Sequence, residues 1–239
     1  MKKTIAFITD SHLAEELPVA ADQQRNFDRI LEDIEKRGVD QVIIGGDIGH
    51  ESIYADFFKS LGKYSDNLKV IPGNHDSLGD LLSHFPNPEF PDLAELYYSY
   101  SDDNFLYIFL DSSTDEFSNP QLAWLREKVE ETNLKILLFV HHPIFEIDTP
   151  VDRKYPLQNR EIVQQILMQQ QREIFVFCGH YHTEDETGTG AISQYETTAV
   201  SYQIRKGTPD VEPHADYFGY RLITLDNGNV ATELIKLQP

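Results

Sequence analysis

Five short apolar runs in this chain each end on a cluster of aspartate or histidine. Thr4 to Thr9 leads into Asp10-Ser11-His12, and Val42-Ile43-Ile44 into Gly45-Gly46-Asp47. Leu68 to Ile71 leads into Pro72-Gly73-Asn74-His75-Asp76, Lys135 to Val140 into His141-His142-Pro143, and the run ending at Cys178 into Gly179-His180-Tyr181-His182. Turn chemistry explains any one of these, because Gly, Asn and Asp are ordinary turn residues. It does not explain five in fixed order. Open α/β sheets present their ligands at the carboxyl ends of strands, so the pattern predicts strands that deliver all five clusters to a dinuclear metal site.

The residue types suit that purpose. Positions two apart in extended chain project to the same side, so Asp10 and His12 can face one ion together. His180 and His182 are likewise two apart, after a glycine that leaves room for close approach. Carboxylate with imidazole suits Fe, Mn, Zn or Co. Asp47 reads in two ways, as a carboxylate bridging two metals or as a cap on the helix beginning near Glu51. Asn74 offers a neutral oxygen ligand, His75 a proton donor or acceptor, and Asp76 a carboxylate to orient His75. Pro143 biases His142 toward extended backbone, so His141 and His142 point to opposite sides and only one faces the cluster. His50 and Glu51 read as first-turn and rim residues, and His84 as a surface residue.

Between the clusters the pattern alternates. A helix is predicted from Asp22 to Arg37, with Phe27, Ile30, Leu31 and Ile34 on one face and Gly38 as its stop. Phe57, Phe58 and Leu61 mark a second helix. The proline-bearing stretch 85–92 reads as a loop. Leu96 to Tyr100 and Phe105 to Leu110 read as a hairpin, Asn119 as cap and Pro120 in the first turn open a helix bearing Leu122, Leu125 and Val129, and another helix spans Asn159 to Gln170. From Ala191 the chain becomes short strands, ending in Tyr220 to Leu225 and Val230 to Leu237 around Asp226-Asn227-Gly228-Asn229. This predicts two sheets sharing one core with helices outside, in a single domain over residues 1–239.

Composition bounds the partners. Forty acidic against twenty basic residues give a formal charge of −20, which repels nucleic acid and anionic membranes. Two divalent cations would offset only about +4 of this. The single cysteine, Cys178, excludes an internal disulfide and a Cys-rich zinc site, and its apolar surroundings predict a buried inert thiol. The first apolar stretch ends at Ile8, short of a signal peptide's apolar region of about 7–15 residues. No run approaches the ~20 apolar residues of a membrane span. The expectation is a cytoplasmic protein acting on a small molecule, without nucleic acid or membrane partners.

The order D-x-H, G-D, G-N-H-D, H-H-P, G-H-x-H resembles the calcineurin-like metallophosphoesterases over nearly the whole chain, with all five motifs intact. The chain is most similar there to the bacterial class III cyclic AMP phosphodiesterases, through the helix Asn119-Pro120-Gln121-Leu122-Ala123-Trp124-Leu125, its length and its final strands. The resemblance implies an α/β fold, a four-layer α-β-β-α sandwich of two mixed sheets. It also implies that Asp10, His12, Asp47 and His182 hold a first divalent ion, and that Asp47 bridges to a second completed by Asn74, His141 and His180. His141 rather than His142 is the ligand in such H-H-P sequences. A metal-bridging hydroxide would attack a phosphodiester, with His75, paired to Asp76, assisting the leaving group.

The implied substrate is 3′,5′-cyclic AMP or a related cyclic nucleotide. The alternatives are a broader phosphodiesterase or phosphomonoesterase on the same metals, or a non-catalytic scaffold, against which stands the complete ligand set. A nucleobase needs an aromatic shelf, for which Tyr181, Tyr202, Tyr217 and Phe218 are the candidates, with His214 in the same irregular segment.

Overall fold

The computed structural model describes residues 2–85 and 94–239. The first half forms β1 (Lys2–Ile8), α1 (Gln23–Arg37), β2 (Gln41–Ile44), α2 (Tyr54–Ser60), β3 (Leu68–Val70), α3 (Leu78–His84), β4 (Tyr98–Ser101), β5 (Phe105–Phe109) and α4 (Asn119–Glu130). The second half forms β6 (Lys135–Phe139), α5 (Pro150–Lys154), α6 (Arg160–Met168), β7 (Ile174–Cys178), β8 (Asp185–Thr189), β9 (Ile192–Glu196), β10 (Gln203–Ile204), β11 (Pro213–His214), β12 (Phe218–Asp226) and β13 (Asn229–Leu237). The loop expected at 85–92 lies, beyond Phe85, outside the described residues.

Two mixed sheets form a sandwich. One has the order β13-β12-β1-β2-β3 and the other β4-β5-β6-β7-β9-β8. Strands β1, β2 and β3 are parallel, and so are β5, β6, β7 and β9. Each set therefore releases its loops at one end, where the five polar clusters begin. The C-terminal hairpin β12–β13 turns at Asn227 and Gly228, both at positive φ, as a two-residue hairpin turn requires. It returns the chain to the first sheet, with β12 antiparallel beside β1.

Strand alternation explains the layers. Phe105, Tyr107, Phe109, Leu137, Phe139 and Phe177 pack in the core shared with the first sheet. Leu106, Ile108, Ile136, Leu138, Ile174 and Val176 face the other way, against Leu122, Leu125 and Val129 of α4 and Val163, Ile166 and Leu167 of α6. On the far side of the first sheet, α1 buries Phe27, Ile30 and Ile34, with Phe27 stacked on Phe57 of α2 at 5.0 Å between ring centroids.

An aromatic ladder crosses the second sheet from Tyr98 through Phe109, Phe139 and Phe177 to Tyr195, with centroids 4.5, 5.1, 5.2 and 5.4 Å apart. Such pairs contribute about 0.5–1.5 kcal/mol each beyond their area burial. Arg221 of β12 ends the ladder, its guanidinium 5.0 Å from the Tyr195 ring centroid.

Helix ends follow local chemistry. Asp22 accepts the N–H of Arg25 at 3.0 Å, and Gly38 closes α1 at φ 66°, a left-handed shape that glycine adopts without a Cβ penalty. Helix α4 is capped by Ser118 rather than Asn119: its hydroxyl accepts from Gln121 N at 3.2 Å, and Pro120 lies in the first turn. No helix among the described residues is long and apolar enough to cross a membrane.

Candidate metal centre

Asp10, His12 and His182 bring one donor atom each within 4.8 Å of one another, as do Asp47, His141 and His180. The two groups share a wall. Oδ2 of Asp47 lies 3.6 Å from Nε2 of His12 and 3.3 Å from Nε2 of His141. Oδ1 of Asp10 lies 3.4 Å from Nε2 of His182 and 3.9 Å from Nε2 of His141. Asn74 and His75 are exposed at the edge of this cluster and line the same cavity.

The backbone is bent to achieve this. Asp10, His12, Asp47, His180 and His182 all have positive φ, at 57, 46, 52, 74 and 49°. The other described non-glycine residues in that state are Ala14, Asp115, Asn159 and Asn227. Such conformations cost about 1–3 kcal/mol each and persist where surrounding bonds over-determine them. Here Asp10 N donates to Gly46 O and His12 N to Asp47 O, both at 3.0 Å, while Ser201 N donates to Asp10 O at 3.1 Å. Glycine allows the closest approaches: a Cβ on Gly73 would collide with the Asp47 carboxylate, and one on Gly179 with Thr9 and the Asp10 carboxylate.

Each of three imidazoles is oriented through Nδ1. His141 donates to Gly45 O at 2.7 Å, His182 to Tyr202 O at 2.9 Å and His12 to the Glu15 carboxylate at 2.9 Å. This fixes the tautomer in which Nε2 keeps its lone pair and could serve as a metal donor. Nε2 of His141 and Nε2 of His180 are buried and make no hydrogen bond. Orphaned buried nitrogens beside carboxylates fit a cation, since buried polar atoms are otherwise almost always paired. The mixed carboxylate and imidazole set fits a divalent transition metal.

The electrostatics agree. Burial alone would lower the pKa of His141, but Asp47 and then Asp10 raise it to about 10. Burial would raise Asp47, yet His141 and His12 hold it well below the usual carboxylate range. Burial, with His142 and His141 adding to it, holds His180 well below the ordinary imidazole range. The cluster thus attracts positive charge while keeping His180 neutral, the state in which imidazole ligates.

Asp76 does not orient His75. Its carboxylate points into the loops and accepts from Asp47 N at 2.8 Å, Ile48 N at 2.9 Å, Gly73 N at 2.8 Å and Tyr54 Oη at 2.9 Å. The carboxylate beside His75 is Glu15, with Oε2 3.4 Å from Nδ1. Neither Asp76's placement nor Glu15's is marked by the local motif, because both depend on loops that meet only in the fold. Asp47 caps no helix: His50 does so at Glu51, its Nδ1 accepting from Ser52 N. His142 belongs to neither donor group: its Nδ1 lies 2.9 Å from Ser112 Oγ and its Nε2 3.1 Å from Asp115 Oδ1, while its ring packs on that of His180 with centroids 3.9 Å apart.

Beside the cluster opens a cavity of about 550 Å³, lined by His12, Asp47, His180 and His182 and by the apolar or aromatic side chains of Leu17, Tyr155, Tyr202 and Val211, with the Tyr202 ring 4.3 Å from that of His182 between centroids. Of the four aromatic candidates, only Tyr202 lines it. Tyr181 is fully buried with its hydroxyl on Asp152 at 2.8 Å, Phe218 is in the core, and Tyr217 packs near His214 and Lys236. His214 does not line the cavity; its Nδ1 is 3.0 Å from Asp216. The missed aromatic is Tyr155, 55% exposed at the end of α5, a helix too short to leave a periodic signal.

The calcineurin-like phosphoesterase family model matches residues 3–184. A probable cyclic nucleotide phosphodiesterase from Fibrobacter succinogenes is 27% identical over 206 residues, covering 84% of this chain and 80% of that protein. A probable glycerophosphodiester phosphodiesterase from Arcobacter nitrofigilis is 30% identical over 176 residues, 69% of this chain and 64% of its own length. Among solved structures, a dimetal phosphatase from Danio rerio shares the fold with a TM-score of 0.67 at 17% identity, over 99% of this chain and 98% of that one. With its paired clusters of carboxylate and imidazole at the strand ends, the chain belongs to the calcineurin-like phosphoesterases, a family of metal-dependent hydrolases.

Proposed function

We propose that the protein hydrolyses phosphodiesters, 3′,5′-cyclic AMP and related cyclic nucleotides among them, at two divalent ions. Asp10, His12, Asp47 and His182 would hold one, and Asp47, Asn74, His141 and His180 the other, with Fe, Mn, Zn and Co all compatible with these donors. The observation that carries this reading is Oδ2 of Asp47, a single carboxylate oxygen between His12 of one group and His141 of the other. Bound there, such ions supply a hydroxide nucleophile near neutral pH and neutralise phosphoryl oxygens.

The remaining work falls to side chains. His75, half exposed at the cavity beside the cluster, is placed to protonate the departing alkoxide. Its contact with Glu15, opposed by burial and reinforced by Asp47, raises its pKa to about 9. A proton is therefore available at neutral pH in the metal-free site. General acid help of this kind contributes roughly 10²–10⁴-fold.

The cavity supports a diester with a flat apolar substituent. Leu17, Tyr155, Tyr202 and Val211 offer that substituent a wall, while Glu15, Glu16 and Asp115 disfavour further negative charge nearby. A phosphomonoester brings that extra charge and is expected to turn over less well. Relatives named as cyclic nucleotide phosphodiesterases support the same substrate class. A broader diesterase is the second reading, favoured by the relative named as a glycerophosphodiester phosphodiesterase.

A hydrolysis panel separates them: cyclic AMP, cyclic GMP, a glycerophosphodiester, and bis- and mono-p-nitrophenyl phosphate, each with Mn, Fe, Zn and Co. Cyclic AMP and cyclic GMP are expected within about tenfold in kcat/KM, ~1.4 kcal/mol in transition-state binding, because stacking is tolerant of base identity. Preference for the monoester would overturn the diesterase reading. Turnover of the other diesters without either cyclic nucleotide would leave the broader enzyme.

A further inference from the structure

Glu15 has no place in the proposed ligand set, yet it touches two histidines of the site. Its Oε2 lies 2.9 Å from Nδ1 of His12 and 3.4 Å from Nδ1 of His75, and the two rings meet edge to face with centroids 4.9 Å apart. The segment that carries it is held from behind. Nε2 of Gln23, at the start of α1, donates to the carbonyls of Glu15 at 2.9 Å and His12 at 3.1 Å. Glu15 is thus presented on a fastened loop, while His75 is half exposed and gains little restraint from packing.

A carboxylate has only acceptor sites, so an imidazole turned toward it presents Nδ1–H. For His75 this leaves Nε2, on the opposite edge of the ring, for the substrate. Contacts of this kind are often long before substrate binds and tighten in the reacting complex.

We infer that Glu15 is the positioning residue for His75: by receiving Nδ1–H it sets the ring's orientation and tautomer, so that Nε2 carries the transferable proton. The inference rests on His75 acting as the proton donor. In the step it serves, a hydroxide oxygen forms a bond to phosphorus, and the P–O bond to the leaving oxygen breaks with its electron pair on that oxygen. The Nε2–H bond breaks as the new O–H bond of the leaving group forms, and the Nδ1–H stays on His75, directed at Glu15. The metal ligands are then not the only residues shaping the reaction. One carboxylate serves His12 and His75 together, which ties the placement of the acid to that of the metal site.

The test is a double-mutant cycle on the full chain at saturating Mn²⁺, with Glu15→Ala, Glu15→Gln, His75→Ala and Glu15→Ala/His75→Ala. Bound metal per chain is measured beside kcat and KM for cyclic AMP and for bis-p-nitrophenyl phosphate. Glu15→Ala is expected to keep two metals at saturation and an unchanged KM, and to lose kcat by about tenfold or more on cyclic AMP, within the range of general acid catalysis. Its loss on the p-nitrophenyl ester, a better leaving group, should be smaller. Glu15→Gln, which keeps an acceptor oxygen, should recover part of the lost kcat. The double variant should be no worse than His75→Ala alone.

Full additivity of the two losses, or a kcat restored to the unsubstituted value by saturating metal, would overturn the inference and assign Glu15 to His12 alone. An unchanged kcat in His75→Ala would instead overturn the role of His75 itself. The two failures are therefore distinct.

Discussion

The carboxylate of Asp76 accepts the amide N–H of Asp47 at 2.8 Å. Ile48 N, Gly73 N and the Tyr54 hydroxyl fill its remaining acceptor positions. In return, Oδ1 of Asp47 accepts the amide of His75 at 2.9 Å. Two loops, one after β2 and one after β3, are therefore laced together by paired aspartates, and the strained backbone of Asp47 is held by a side chain rather than by a regular element. Burial and the neighbouring Asp47 push the Asp76 carboxyl up to about 6, against its several donors.

Removing this clasp should cost stability before chemistry. Asp76→Ala leaves amides unpaired, at about 1–3 kcal/mol for each that stays buried, and Tyr54→Phe removes one bond worth about 1 kcal/mol. Urea midpoints of the metal-free chain should fall in that order, and metal affinity should fall with them. An Asp76→Ala chain as stable as the original, impaired only in kcat, would return Asp76 to a direct role beside His75.

Removing the ions should remove the activity. A chelator is expected to abolish hydrolysis, and Asp47→Ala to be the most damaging single ligand change, on the order of a thousandfold in kcat/KM or ~4 kcal/mol. Metal content should fall below two per chain in that variant. Full activity with a single tightly held ion would contradict a dinuclear site.

Ligand and acid should separate in kinetics. Asn74→Ala is expected to weaken occupancy of the second ion, while His75→Ala keeps both ions and loses kcat by roughly 10²–10⁴-fold on alkyl esters. A loss confined to kcat reports an interaction made in the transition state. If His75→Ala empties the site instead, His75 is a ligand.

The aromatic wall gives a test of substrate class. Tyr155→Ala should raise KM for cyclic AMP by about tenfold, at the lower end of the 1–3 kcal/mol that base stacking contributes in nucleic-acid sites. It should leave KM for a glycerophosphodiester unchanged and the fold intact, because the side chain is largely exposed. Equal effects on both substrates would show that Tyr155 does not read the base.

A buried carboxyl behind the site predicts a pH effect. Glu196 is fully buried, accepts Tyr181 N at 3.1 Å and lies 3.1 Å from Cys178 Sγ. Burial, with Asp10 adding to it, raises its pKa well above 4.5. The folded chain thus holds this proton more tightly than the unfolded one. Its contribution to stability is full below the unfolded pKa and declines as pH rises toward the folded value. Glu196→Gln removes that decline, so in the metal-free chain its urea midpoint should gain on the original between pH 5 and pH 8. A difference that shrinks or reverses with rising pH would show Glu196 to be stabilised as an anion.

Much of this architecture was legible from local pattern. The runs that became β1, β2, β3, β6 and β7 are apolar and short, and each is closed by glycine, proline or a polar residue, which is enough to define a strand and its end. Parallel strands release their polar ends on one side of a sheet, which groups Asp10 with Asp47 at the end of the first sheet and His141 with His180 and His182 at the end of the second. The packing of the two sheets then brings these groups together. The helix from Gln23 and the hairpin around Asn227-Gly228 were likewise written in spacing and turn residues.

Pairing between loops was not. Asp76 was expected on its chain neighbour His75, and the fold instead sends it back to Asp47 and Tyr54, while Glu15 arrives at His75 from the loop after β1. The same holds for the cavity wall, where Tyr155 enters from a one-turn helix and Tyr181 is drawn away to Asp152. Sequence by itself determined which residues end the strands, because the period of a strand and the chemistry of its turn act over a few neighbouring positions. Only the tertiary structure decided which carboxylate meets which histidine, because a hydrogen bond between loops depends on how two sheets and their connections pack, and no local spacing encodes that distance.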